Sequence, residues 1–161
     1  MPLSIVLVEP EIPWNTGNIA RSCAAGGAAL HLVGRLGFSL SERRIKRAGM
    51  DYWDRVKPVQ HADWESFEKS LPVGASLFGF TAEAPLGLWD APLTPDSFLV
   101  FGSESTGLPA ALREKLGGRL VSIPMPGGGR SLNLSTAAAL ALYEALRRAD
   151  VNIRPSRLPA R

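Results

Sequence analysis

Short runs of apolar, often branched residues alternate with segments of helical character along most of the chain. Such alternation predicts a mostly parallel β-sheet flanked by helices on both faces, an α/β fold. In sheets of this kind ligands bind beyond the carboxyl ends of the strands, so the loops that follow strands are where a site is expected. The strands are predicted at residues 3–8, 30–33, 55–59, 75–80, 98–101 and 119–123.

Two prolines in residues 9–14 indicate an extended loop after the first strand. The first helix is therefore predicted at residues 19–26, with Thr16 or Asn18 as its N-cap. The other helices are predicted at residues 42–48 with Ser41 as the cap, from residue 63 onward, at residues 108–116 with Pro109 in the first turn, and at residues 137–148.

The last of these helices carries apolar residues at spacings of three and four. This spacing predicts one stripe that faces the core and leaves Glu144 on the solvent side with the arginines that follow it. Ser131 or Asn133 could cap the helix. The predicted stripe consists of Ala139, Leu142, Tyr143 and Leu146.

The composition is that of an ordinary globular protein, with 45% hydrophobic and 20% charged residues in a chain of 161. One domain is expected at residues 1–150, followed by a mobile basic tail at residues 151–161. No apolar run is long enough for a membrane span, and the start lacks the pattern of a secretory signal. Because Cys23 is the single cysteine, an intrachain disulfide and a multi-cysteine zinc site are excluded, and a cytoplasmic setting is expected.

Positive charge is concentrated in two places, although the net charge is only +3. Four basic residues lie within residues 43–47, and five arginines lie from residue 147 to the C-terminus. Such clusters can bind the phosphates of a nucleic acid, but a solvated helix face and a frayed tail would look the same.

Several common site patterns are absent from the sequence. No G-x-G-x-x-G follows the first strand, and the glycines at 127–129 lack the lysine of a phosphate-binding P-loop. His31, expected in a strand, and His61, expected in a loop, have no partner at metal-ligand spacing, so no metal is predicted. Cys23 is expected to be a small core residue.

The segment at residues 124–133 is unsuited to regular structure, because it has two prolines and three consecutive glycines. It ends in hydroxyl and amide side chains just before the last helix. Such a loop can receive a polar ligand through main-chain groups, although it could equally be a surface loop before a capped helix.

Three loops that follow predicted strands carry an unusual set of polar residues and glycines. The first loop (residues 10–18) leads into Asn15-x-Gly17-Asn18-x-x-Arg21, the second loop (residues 102–107) lies in Phe-Gly-Ser-Glu-Ser-Thr-Gly-Leu-Pro, and the third loop is residues 124–133. Together with Val-Glu-Pro-Glu-Ile-Pro at 8–13 and Arg-Ala-Gly-x-Asp-Tyr at 47–52, they resemble the SPOUT class of RNA methyltransferases. The resemblance covers residues 3–148 and is greatest to the branch that methylates the ribose 2′-oxygen of the tRNA wobble nucleotide.

The resemblance implies an α/β domain with a C-terminal trefoil knot, which composition alone would not indicate. It also implies a homodimer with the last helix in the interface, and S-adenosylmethionine as the methyl donor without any metal. The cofactor would be held largely by main-chain groups. The residues that match the cofactor-binding positions are Phe80, Thr81, Gly102, Gly107, Ile123, Met125, Ser131 and Leu132.

Four residues match the catalytic positions of the family: Arg21, with Asn15, Glu104 and Asn133 around it. An arginine pKa above ~12 makes a poor general base. Arg21 is therefore expected to grip a phosphate and to orient or polarise the hydroxyl, unless exclusion of water perturbs it. Glu104 could act directly or could tie the loops together by hydrogen bonds.

The implied RNA contacts are made by Arg43, Arg44, Arg47 and Tyr52, with the anticodon stem-loop of tRNA as the partner and stacking of a base on Tyr52 or Trp53. The implied reaction is methylation of the wobble cytidine or uridine. Ribosomal RNA as the substrate and a non-catalytic RNA-binding scaffold are the alternatives. The isoacceptors, the choice between cytidine and uridine, and any required prior modification do not follow from the sequence.

Overall fold

The computed structural model describes residues 2–40 and 52–149. Within these ranges seven strands form one sheet in the order β3-β2-β1-β6-β4-β7-β5, and every pairing is parallel. The sheet therefore confirms the predicted parallel α/β architecture. The strands are β1 (Ser4–Val8), β2 (Ala29–Val33), β3 (Val59–His61), β4 (Leu77–Phe80), β5 (Leu86–Gly87), β6 (Phe98–Phe101) and β7 (Leu120–Ser122).

Helices cover both faces of the sheet. On one face α1 and α5 pack against a large apolar cluster through small residues such as Cys23 and Ala141, both fully buried. On the other face α3 and α4 pack through Phe67, Leu112 and Leu116. The helices are α1 (Pro13–Gly26), α2 (Trp53–Val56), α3 (Trp64–Lys69), α4 (Ala110–Leu116), followed by a 3₁₀ turn at Gly117–Arg119, and α5 (Leu134–Ala149).

The first helix begins six residues earlier than predicted. It starts at Pro13, and Ile12 occupies the N-cap position without a side-chain cap bond. Proline is favoured in the first turn of a helix because its missing N–H is not needed there, so Pro13 initiates α1 rather than excluding it. The prediction of Thr16 or Asn18 as the cap was wrong, and Thr16 is buried within the helix.

The predicted strand at residues 55–59 was also wrong. The short helix α2 occupies its first half and ends at Lys57, which has a left-handed φ of 47°. Strand β3 begins only at Val59 and includes His61, which was expected in a loop. The predicted helix at 42–48 and the tail at 151–161 lie outside the described residues, and so do Arg43, Arg44 and Arg47.

Helix α5 is rotated relative to the predicted stripe. Tyr143 is 53% exposed, whereas Glu144, expected in solvent, is only 6% exposed. The face of α5 that is buried consists mostly of alanines, and their small side chains let α5 lie close to α1 and the sheet. The carboxylate of Glu144 can be buried because Arg147 and Arg148 both donate to it. The buried apolar residues of the helix are Ala138, Ala141, Leu142 and Ala145.

None of the helices in the described ranges is long and apolar enough to cross a membrane. The described residues also contain no group of three or more His, Cys, Asp or Glu side chains that could hold a metal ion.

Candidate functional site

Beyond the carboxyl ends of β1, β4, β6 and β7, the chain surrounds a cavity of about 510 Å³. Strands β1 and β6 are neighbours, and β4 lies between β6 and β7. Because the strands are parallel, the three loops noted in the sequence leave the sheet at the same edge and meet around this cavity. A volume of this size accommodates a ligand of a few tens of atoms.

All eight residues that match the cofactor-binding positions lie on the wall of this cavity. Asn15, Glu104 and Asn133 line it as well, but Arg21 does not. Ile12 and Ala137, which the sequence analysis did not single out, complete parts of the wall. The eight are Phe80, Thr81, Gly102, Gly107, Ile123, Met125, Ser131 and Leu132.

Glu104 holds the second loop against the start of α1. Its Oε2 accepts a hydrogen bond from the backbone N–H of Glu11 at 2.8 Å, and its Oε1 accepts from the backbone N–H of Ile12 at 3.0 Å. Oε1 also accepts from the side-chain amide of Asn15 at 3.0 Å. The carboxylate thus binds the N–H of the N-cap residue Ile12 and that of Glu11 before it, at a helix end where negative charge is favoured.

The hydrogen-bond chain continues from α1 to α5 through two asparagines. Asn133 Nδ2 donates to Asn15 Oδ1 at 3.0 Å. Asn133 Oδ1 accepts from the backbone N–H of Ser135 at 2.9 Å and from its hydroxyl at 2.7 Å, which confirms Asn133 as the cap of α5. Since Asn15 is only 6% exposed, this chain fixes the relative positions of the three loops in a partly dry environment.

Close backbone packing within the second loop explains its two glycines. The N–H of Gly107 donates to the carbonyl of Ser103 at 2.9 Å, which closes the loop into a tight turn. A Cβ added to Gly102 would lie 1.9 Å from the carbonyl carbon of Gly107, and Gly107 has a φ of +68°. Both positions therefore require glycine for the shape of the loop itself.

The third loop owes its path to glycine in a similar way. Gly128 and Gly129 have φ values of +80° and +128°, in the region that other residues rarely adopt. The N–H of Gly128 donates to the carbonyl of Met125 at 3.0 Å, which forms a turn at the cavity edge. The loop thus turns sharply between the cavity residues Met125 and Ser131.

Arg21 lies outside the cavity, on an exposed part of α1. Six residues separate it from Asn15, which in an α-helix corresponds to about 9 Å along the axis and about 240° around it. The two side chains therefore leave α1 in different directions. The guanidinium carbon of Arg21 is 5.0 Å from the centre of the Tyr52 ring, in a cation–π contact.

Arg21 faces a groove of about 740 Å³ that lies between α1 and α5. Three large apolar side chains on this groove are strongly exposed, namely Trp89 at 54%, Leu140 at 40% and Tyr143 at 53%. Glu144 and Arg147 belong to the same wall, and the Nη2 of Arg148 donates to the carbonyl of Trp89. The role of Trp89 was missed because residues 83–95 have no periodicity that predicts which side chains meet.

The cavity wall suits a ligand bound through neutral groups. Among its lining residues Glu104 alone carries a charge, and its oxygens already accept three hydrogen bonds. Phe80 and Leu132 provide apolar surface, while Thr81 and Ser131 add hydroxyl groups. A planar base fits such apolar surface, and a small polar ligand group fits the hydroxyls and main-chain groups.

Other reactive side chains lie away from this site. Burial raises the pKa of the Cys23 thiol to about 12, so it is not a nucleophile. His31 Nδ1 and His61 Nε2 are 3.0 Å apart on the opposite side of the sheet, against Phe67. Burial lowers the pKa of both histidines, and burial together with the neighbouring His61 brings the pKa of His31 to about 4. The structure thus pairs two histidines for which the sequence indicated no partner, and their structural role stays a prediction.

The SpoU rRNA Methylase family matches residues 2–143 of the chain. A tRNA (cytidine(34)-2′-O)-methyltransferase from Burkholderia ambifaria is 43% identical over 148 residues, which cover 91% of this chain and 95% of that protein.

Two solved structures of RNA methyltransferases also resemble this chain. One described as giving structural insights into the 2-OH methylation of C/U34 on tRNA superposes with a TM-score of 0.85 at 45% identity, covering 91% of this chain and 95% of that one. An AdoMet-bound rRNA methyltransferase from Sinorhizobium meliloti has a TM-score of 0.77 at 27% identity and covers 91% of this chain but 56% of that one.

Proposed function

Because the chain belongs to the SpoU rRNA Methylase family, we propose that it transfers a methyl group from S-adenosylmethionine to the ribose 2′-oxygen of the wobble nucleotide, cytidine or uridine, of a tRNA. The observation that carries this proposal is the 43% identity to a tRNA (cytidine(34)-2′-O)-methyltransferase over 95% of that protein's length. The match covers nearly the whole of both chains.

Sequence identity favours tRNA over ribosomal RNA as the substrate. The chain is 43% identical to the Burkholderia ambifaria tRNA methyltransferase but 27% identical to the Sinorhizobium meliloti rRNA methyltransferase.

The cavity is our proposed cofactor site. Main-chain groups beside Gly102, Ile123 and Met125 would hold the adenine and ribose, and Phe80 and Leu132 would cover the apolar faces. When bound, S-adenosylmethionine supplies an activated methyl group, so the chemistry needs no metal. The turn that Gly128 and Gly129 form in the third loop would lie at the edge of the bound cofactor.

We assign Glu104, Asn15 and Asn133 to holding the site in shape. The carboxylate of Glu104 accepts hydrogen bonds from three N–H donors, which ties the second loop to the start of α1. The hydrogen bond between Asn133 and Asn15 extends this network to the start of α5. Preorganised loops of this kind reduce the cost of aligning the methyl group with its acceptor.

Arg21 is our proposed catalytic residue. As an exposed arginine of α1 on the groove outside the cavity, it suits a phosphate of the bound RNA and the electrostatic orientation of the 2′-hydroxyl. Its exposed position on the groove agrees with a residue that meets a macromolecule rather than the cofactor.

The protein is proposed to act as a homodimer in the cytoplasm, with a trefoil knot formed by the third loop and α5. Exposed Trp89, Leu140 and Tyr143 support the dimer, because apolar groups grouped on one groove are typical of a contact surface. Knot and cytoplasmic location follow from membership of the family and from the tRNA substrate.

The proposal is tested by incubating the protein with labelled S-adenosylmethionine and total tRNA that lacks wobble ribose methylation. We expect 2′-O-methylation at the wobble nucleotide, mapped by mass spectrometry of nuclease fragments. Ribosomal RNA is included as a competing substrate in the same reaction. Methylation of ribosomal RNA alone, or cofactor binding without methylation of either RNA, would overturn the proposal.

A further inference from the structure

Two arginines from separate helices converge on one aromatic ring. The guanidinium carbons of Arg21 in α1 and Arg55 in α2 lie 5.0 Å and 5.7 Å from the centre of the Tyr52 ring. Both arginines are exposed, whereas Trp53 and Val56 on the same short helix pack against the core. The packing of α2 thus holds Arg55 against the same ring that Arg21 contacts.

No carboxylate of the described residues forms an ion pair with either arginine. Two positive charges that contact one ring without a neighbouring carboxylate make this part of the surface positive, which attracts an anion. Guanidinium groups match the geometry of phosphate oxygens and bind them in a bidentate manner.

We propose that Arg21, Tyr52 and Arg55 form a binding site for a backbone phosphate of the substrate RNA. This inference rests on the proposed function, and it adds Arg55 as an RNA-binding residue. Tyr52 is a positioning residue in this site. Its ring is engaged by the two guanidinium groups, so it orients them instead of stacking on a base as the sequence suggested.

The site gives Arg21 a defined position for its task. Bound to the phosphate together with Arg55, Arg21 holds the ribose that carries the reacting hydroxyl at a fixed place relative to the cavity. Loss of Arg55 should therefore weaken RNA binding, while cofactor binding should not change.

The first experiment measures binding of an anticodon stem-loop and of a single-stranded oligouridine to the wild-type protein and to Arg55→Ala over a range of salt concentrations. We expect Arg55→Ala to bind both RNAs about 10-fold more weakly and to lower the slope of log K against log salt by about one phosphate contact. Arg113→Ala is the matched control, because Arg113 is an exposed arginine of α4 on the opposite face of the sheet. Equal losses for the two variants, or an unchanged slope for Arg55→Ala, would overturn the site.

A second experiment identifies the phosphate. Stem-loops that each carry one uncharged methylphosphonate linkage near the wobble nucleotide are compared for binding. At one linkage the wild-type protein should lose affinity. On that modified stem-loop Arg55→Ala should bind as well as the wild type does, since the phosphate charge that Arg55 contacts has been removed. A full additional loss from Arg55→Ala at every linkage would contradict the proposal.

The role of Tyr52 is separated by Tyr52→Phe and Tyr52→Leu in the Arg21→Ala and wild-type backgrounds. If the ring positions the arginines, Tyr52→Phe binds like the wild type, and the loss caused by Tyr52→Leu shrinks when Arg21 is absent. An undiminished loss would mean that Tyr52 stacks on a base. Methylation by the wild-type protein tests the proposed function independently. If the wild type is active but Arg55→Ala has an unchanged salt slope, this inference is overturned and the proposed function is not.

Discussion

The cavity and the groove each contain a carboxylate that accepts three N–H hydrogen bonds, yet the two carboxylates connect very different parts of the chain. Glu104 in the cavity binds two backbone N–H groups and one side-chain amide from positions 89 to 93 residues away. Glu144 in the groove binds Arg147 and Arg148, its neighbours three and four positions along α5.

The cavity thus has its shape set by hydrogen bonds between distant segments, whereas the groove is an exposed surface that could bind a partner. The bonds of Glu104 fix loops from different strands relative to each other, so the cavity keeps its form without a ligand. The bonds of Glu144 order only two side chains on one helix, and Trp89, Leu140 and Tyr143 remain exposed beside them. The cavity is therefore suited to a small ligand and the groove to a macromolecule.

The largest effect is expected from Arg21→Ala. If catalysis depends on a residue outside the cavity, kcat for methyl transfer should fall by about 100- to 1,000-fold while the affinity for S-adenosylmethionine stays unchanged. Turnover with labelled cofactor and titration calorimetry measure the two quantities. A parallel loss of cofactor affinity would show that Arg21 belongs to the cavity after all, and normal turnover would remove its catalytic role.

Glu104→Gln should affect the cavity and the stability of the whole domain. The side-chain NH₂ of glutamine would point at one or more of the N–H donors that the carboxylate now accepts from, so at least one of the three hydrogen bonds is lost. We expect a loss of about 2–3 kcal/mol in the free energy of unfolding and much weaker cofactor binding. Urea unfolding and calorimetry check this, with the exposed Glu114→Gln of α4 as the control. An unaffected cofactor affinity would argue against a preorganised cavity.

Tyr143→Asp tests the groove as a contact surface. Because Tyr143 is half-exposed, a charge should be tolerated in a monomer but not in a dimer interface, where the dissociation constant should rise about 100-fold. Sedimentation analysis measures this, and unfolding experiments establish that the variant is folded. Lys115→Asp, on the opposite face of the sheet, should leave assembly unchanged. Identical sedimentation of Tyr143→Asp and wild type would exclude this groove from the interface.

The smallest effect is expected from Glu144→Gln, and it should depend on pH. Hydrogen bonds from Arg147 and then Arg148 lower the pKa of Glu144 from 4.5 to about 2, although burial opposes this shift. Its stabilising contribution, about 1 kcal/mol, is therefore present above pH 4.5 and disappears as the pH falls towards 2. Urea unfolding of both proteins across this range should give curves that converge in acid. A constant difference would mean that the substitution changes packing rather than charge pairing.

Much of the fold could be predicted because it depends on local rules. Strands β1, β2, β4, β6 and β7 were predicted from short apolar runs, and a parallel sheet followed from their alternation with helices. Local chemistry also located Asn133, one of the two predicted caps, at the start of α5. Helix α3 was predicted from residue 63 onward, and Asp63 accepts from the N–H of Ser66 at its start. Local reasoning failed at Pro13, which was assigned to the loop after β1 but is the first residue of α1.

The candidate site could be predicted only in part. Its residues were found through resemblance to a family, and the structure brings all but Arg21 of the proposed cofactor and catalytic residues in the described ranges to one cavity. Arg55 and Trp89 carried no signal in the sequence. An exposed arginine and an aromatic in an irregular segment become significant only when their neighbours in space are known.

The sequence by itself determined five of the seven strands, most of the helices and the loops that need glycine, because these depend on residues a few positions apart. The tertiary structure alone decided which of these segments meet. Strand β1 lies beside β6, which places the start of α1 against Glu104. Packing of α2 on the core brings Arg55 to the ring that Arg21 already contacts. Such pairings depend on the order of strands in the sheet, which local propensity does not specify.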